Sequence, residues 1–270
     1  MERQLLYFRV DVSPLPKPFA HNVKRKIVRL QRDTIVEATF ELRFEGTTQT
    51  VADLIPGLLF GAYKDRRPKA LRTPVAEFPR ELQASDPVLK YSPRQGILLD
   101  NFRILFGDLT AQVSHSQPYV GWTKFRAMIT DVLGELRHSG LINTVERCSL
   151  KYVNLIPSAG SIEEQFGCIK LNAALGERDL TKRLTMIRTE IHEGKTISIV
   201  ELSPNATVRI PDAKEDLRGF MISVDTINSD VDGFWEKRDQ ILDATHEMEK
   251  SIYFDILTDK TIASLGPVYE

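Results

Sequence analysis

The 270-residue chain has little cysteine. Cys148 and Cys168 are the only two, and neither has a neighbour at metal-ligand spacing. That excludes a readable zinc site and a disulfide framework, and it fits a reducing compartment. Both are expected as packing thiols, and the location as cytoplasmic. Long apolar runs are also missing. The best candidate, residues 54–63, is broken by Pro56, Gly57 and Gly61, well short of the roughly 18 residues that cross a bilayer. No membrane association is expected. The first ten residues lack the sustained apolar core of a secretory signal. Nor is there a G-x-x-x-x-G-K-[ST] or G-x-G-x-x-G phosphate cradle, a G-x-S-x-G nucleophile turn or an H-E-x-x-H helix. Nucleotide-hydrolysing loops, dinucleotide folds and the common hydrolase signatures are therefore disfavoured. No cofactor or metal is expected.

Charge of either sign is not in excess overall: the net charge is −1. Its distribution is uneven. Residues 1–135 carry 20 Lys and Arg against 15 Asp and Glu, and residues 136–270 carry 16 against 22. The basic excess sits in 24–32 and 64–80. With 42% apolar and 27% charged residues, the chain is rich enough in core formers to exclude a disordered protein.

Periodicity organises the rest. Residues 1–33, with Pro14, Pro16 and Pro18, read as an N-terminal extension. From Thr34 to Phe44, the apolar residues Val36, Ala38, Phe40, Leu42 and Phe44 alternate with Glu37, Thr39, Glu41 and Arg43. That is a half-buried strand with one polar face. Residues 50–63 are spaced as a helix, against the presence of Pro56. Residues 64–95, punctuated by five prolines, read as a long loop. Strands are expected near 96–106, 109–115, 145–156, 184–192, 195–202, 207–210 and 219–228. Two amphipathic helices stand out, Trp122–His138 and Phe234–Ile256. The stripe of the second includes Ile241, Leu242, Thr245, Met248, Glu249, Ile252 and Tyr253. Short turns between strands imply antiparallel pairing. The expected class is α+β, mostly antiparallel sheet covered by long helices, with two possibly similar halves at 34–157 and 158–270 forming one compact unit.

Two groups of polar residues are candidate sites. Glu37 and Glu41 share a strand face, and Lys151 and Asp225 lie on strands able to neighbour it. Two carboxylates and a lysine suit acid–base chemistry on a phosphate-containing substrate. Arg43 is expected to pair with Glu41 or reach a ligand. Asn154 is a further binding candidate, but alternation sets it on the face opposite Lys151. The second group is the basic loop, with Lys64, Arg66, Arg67 and Lys69 placed to contact phosphates. Only Tyr63 and Phe78 accompany it, so it is a poor stacking platform. His246 is read as a residue at a helix–sheet boundary.

Several segments resemble one family. Residues 34–44 (TIVEATFELRF), 118–125 (PYVGWTKF), 150–156 (LKYVNLI) and 223–226 (SVDT) are similar, in order and spacing, to segments of an uncharacterised, sporadically distributed bacterial family of about this length. Lys151 stands where arginine is commoner there. The resemblance implies no established activity or cofactor. Its sporadic distribution suggests accessory loci such as phage-defence or toxin–antitoxin neighbourhoods. The expected function is a binding or accessory protein recognising a protein or nucleic acid, with an enzyme acting on a phosphate-containing substrate as the alternative. A monomer or homodimer is expected.

Overall fold

Alternation along one strand decides the centre of the fold. In the computed structural model, which describes residues 27–209 and 216–270, the chain begins with β1 (Ile27–Leu30) and β2 (Ile35–Gly46). In β2, Ala38, Phe40, Leu42 and Phe44 are fully buried while the residues between them are only partly covered. The chain continues through α1 (Val51–Ala62), β3 (Lys69–Arg72), α2 (Arg80–Ser85), β4 (Gln95–Leu99), β5 (Phe102–Phe106), β6 (Thr110–Ser116), α3 (Trp122–Ser139) and β7 (Ile142–Pro157). It closes with α4 (Ile162–Phe166), β8 (Ala174–Leu175), β9 (Arg178–Asp179), β10 (Ile187–Glu193), β11 (Thr196–Val208), β12 (Leu217–Asn228), α5 (Phe234–Ile256), α6 (Asp259–Ser264) and β13 (Pro267–Tyr269).

Among the described residues, nine strands form one antiparallel sheet in the order β10-β11-β12-β7-β2-β6-β5-β4-β3. The protein is α+β, as its pattern implies. Helices α1, α3 and α5 bury their stripes on the face that carries Phe40, Leu42 and Leu150. A second cluster joins Phe166, Val200, Phe220, Ile222 and the end of α5. Helix α5 contributes Ile241 and Leu242 to the first cluster and Ile252 and Tyr253 to the second. One sheet and one helix thus run through both halves of the sequence.

Several expectations are corrected. The strand expected over 96–106 is a hairpin, β4–β5, turned at Asp100 and Asn101, which both hold positive φ (48° and 70°). Asp and Asn tolerate that region best after glycine, so the pair makes a tight turn. The segment 64–95 is not one long loop. It holds β3, α2 and two short 3-10 turns, and β3 is an edge of the sheet. The separate strand at 207–210 is the end of β11, continuous across an irregularity between Ser203 and Ala206, with Ile210 outside the described residues. The end of the presumed N-terminal extension belongs to the fold: β1 pairs with β13, and Thr34 is buried. Residues 1–26 of that extension lie outside the described residues. Pro56 sits inside α1, which is nevertheless helical. Among the described residues no helix is long and apolar enough to cross a membrane.

Candidate functional site

The sheet puts polar side chains on both faces, and the two faces differ. On the face away from the helices, register aligns Asp225 with Lys151 and Lys151 with Thr39, one residue pair from Glu37 and Glu41. The four sequence candidates Glu37, Glu41, Lys151 and Asp225 therefore share one face. Glu37 and Glu41 are engaged with arginines, whereas Lys151 makes no ion pair and Asp225 Oδ1 is buried without a hydrogen-bond partner among the described residues. Glu41 accepts from Arg43 Nε (2.6 Å), Arg147 Nη2 (3.2 Å) and Gln112 Nε2 (2.9 Å). Glu37 accepts from Arg103 (3.1 Å) and Thr39 (3.3 Å). Arg43 lies over the Tyr91 ring, 3.9 Å from its centre. Burial raises the pKa of Asp225, and Lys151 beside it draws it back. The network sets four cations, Arg43, Arg103, Arg147 and Lys151, against three carboxylates; it is open to solvent at Glu37 and Arg103 and largely covered at Glu41 and Asp225.

The basic segment is partly neutralised. Arg66 pairs with Asp100 (2.6 Å) and Asp131 (3.5 Å). Arg80 pairs with Asp53 (2.6 Å) and Asp108. Lys64, Arg67 and Lys69 are exposed and make no ion pair among the described residues.

The helix side holds a different arrangement. A cavity of about 380 Å³ opens between β1, the start of β2, β7, the entry to α3 and the C-terminal half of α5. Asn154, set opposite Lys151 by alternation, lines it together with Thr34, Tyr119, Tyr152, Tyr253 and Glu249. Trp122 and His246 stack in its wall, ring centres 4.0 Å apart and nearly parallel. Trp122 comes from the first turn of α3, and Glu249 projects from the apolar stripe of α5.

Counting protons shows what the cavity offers. Thr34 has one hydroxyl proton and gives it to Asn154 Oδ1 (2.8 Å). Its contact with the Tyr253 hydroxyl (2.8 Å) must then be donated by Tyr253. Tyr119 and Tyr152 share one bond (3.0 Å), which consumes one of their two protons and leaves the other. Glu249 is only 4% exposed, and its carboxyl has no hydrogen-bond partner among the described residues. Burial pushes its pKa up to about 8, with Lys250 acting weakly the other way. Burial also raises Tyr119, Tyr152 and Tyr253, and Asp33 at the rim. The carboxyl is thus held neutral at pH 7. The carboxyl faces the cavity, so what fills that space is what meets it. No group of three or more His, Cys, Asp or Glu among the described residues could hold a metal. The thiols of Cys148 and Cys168 are both pushed up to about 12 by burial, so neither is a ready nucleophile.

The spacing of α5 places Glu249 on its apolar stripe. The signal was there: a carboxylate on an apolar stripe needs a partner or a purpose. What pattern could not show was that Thr34, Tyr119 and Tyr152, from three distant segments, meet at the same point. Comparison with family models and with curated proteins finds no match to this chain.

Proposed function

We propose that this protein is a binding protein whose ligand is a small molecule held in the cavity beside α5. The observation that carries the reading is Glu249: a carboxyl 4% exposed, without a hydrogen-bond partner among the described residues, lining a cavity of about 380 Å³. Ligand sites are concave, mostly apolar or aromatic, and hold a few convergent polar groups with displaced pKa values. This cavity has each of those properties. The sheet's opposite face supports catalysis less well, because Glu37 and Glu41 are already engaged with arginines. A partner contacting Lys64, Arg67 and Lys69 is compatible with this reading, as those cations are exposed and form no ion pair among the described residues.

The test is a thermal-shift screen of the full chain against a library of small metabolites, run on wild type and on Val120→Trp, which puts bulk at the cavity wall. Compounds that raise the melting temperature of the wild type and not of a folded Val120→Trp variant support the reading. If every stabilising compound acts equally on both, the cavity is not the site.

A further inference from the structure

We infer that the cavity selects organic cations, in particular primary or substituted amines attached to a small apolar body. The inference rests on the cavity being a ligand site and names the ligand's chemistry.

Three features of the geometry converge on a positive charge. The first is the interior polar inventory. Among the described residues that line the cavity, Glu249 is the one buried acidic side chain; Arg29 lies at the exposed mouth, Lys250 is half-exposed and His246 stands in the wall against Trp122. The second is the wall. Tyr119, Trp122, Tyr152, Tyr253 and Phe254 surround the space. Aromatic faces carry negative charge density and attract ammonium groups, most strongly where water is excluded. The third is the supply of acceptors. Tyr253 donates its proton to Thr34 and keeps lone pairs, so an ammonium N–H has both carboxylate and phenol oxygens to bond.

The empty site holds Glu249 as the neutral acid. An ammonium ligand supplies the countercharge that makes the ionised carboxylate the better form, and the carboxyl proton leaves to solvent as the cation enters. The titratable groups around Glu249 are Asp33 before β2, Tyr119 before α3, Tyr152 on β7, and His246, Lys250 and Tyr253 on α5. An anionic ligand gains less. It would have to sit against a neutral acid among ring faces that repel it, with its cations at the wet mouth, where solvent and salt screen them.

The experiment is isothermal titration calorimetry of the full chain at pH 7 with 2-phenylethylamine, 2-phenylethanol and phenylacetate, each in two buffers of different ionisation enthalpy. The amine is expected to bind at least 30-fold more tightly than the alcohol, equal to about 2 kcal/mol, and to release close to one proton. Glu249→Gln is expected to abolish that preference and the proton release. Trp122→Leu, which keeps the carboxyl, is expected to weaken the amine more than the alcohol. Equal binding of amine and alcohol, or preference for phenylacetate, overturns the cation inference and leaves the cavity reading standing. If no probe binds and no library compound gives a cavity-dependent shift, both fall.

Discussion

Replacing Glu249 by Gln has a consequence that depends on pH, and its sign can be worked out. Burial holds the Glu249 pKa at about 8 in the folded protein, against about 4.3 for an ordinary glutamate in an unfolded chain. Between those values the folded state keeps a proton that the unfolded state has lost. Stability therefore falls as pH rises through the window, by roughly 1.4 kcal/mol per unit, and levels off above the folded value. Gln is neutral throughout and close in shape. The stability of Glu249→Gln relative to wild type should then grow by roughly 2–3 kcal/mol between pH 5 and pH 7. The raised Asp33 and Asp225 are common to both proteins and cancel in the difference. Urea denaturation of both proteins at pH 5, 6, 7 and 8 measures it. A difference that stays constant over this range, or shrinks, would refute the buried neutral carboxyl.

Three further outcomes follow from the same geometry. Thr34→Val removes the donor to Asn154 and the acceptor of Tyr253, leaving two buried polar groups unmatched; a loss of roughly 2–4 kcal/mol in denaturant midpoint analysis is expected. On the opposite face, Glu41→Ala strands Arg43 and Arg147, each 25% exposed, and should cost about 1–2 kcal/mol without changing ligand binding in the cavity. Gly219→Ala would drive a methyl group into the carbonyl oxygen of Ile156 across the β12–β7 pair; a loss of about 1–3 kcal/mol by calorimetry or urea is expected.

The centre of the fold was legible because period and burial agree there. In β2, one face is buried to the last residue at Ala38, Leu42 and Phe44, so alternation in the sequence maps directly onto the sheet. The boundaries of α3 and α5 were equally clear, since Gly140 and Gly233 mark their ends with positive φ. The β4–β5 hairpin was missed for the opposite reason. Its turn uses Asp100 and Asn101 in place of glycine, and the apolar run continues across it. In the segment 64–95, proline density concealed an edge strand and a short helix, because prolines at the starts of the turns at Pro74 and Pro79 delimit structure as readily as they prevent it.

The site was legible only in pieces. Alternation correctly separated Lys151 from Asn154, and Arg43 pairs with Glu41 along the strand as its spacing suggests. Yet on the polar face of β2 the two glutamates that drew attention are already engaged with arginines. Glu249 looks unremarkable in composition and matters because of what fails to surround it. Its neighbours come from β2, β7 and the entry to α3, more than 90 residues away in sequence, and no local pattern encodes that meeting.

The most direct measurement is the titration of carbon-13-labelled glutamate side chains by nuclear magnetic resonance, with Glu249 assigned through Glu249→Gln. The Glu249 carboxyl is expected to stay largely protonated at pH 7, to titrate with a midpoint of about 8, and to ionise at pH 7 when 2-phenylethylamine is added. A Glu249 signal already ionised at pH 5, or one unmoved at saturating amine, would contradict it.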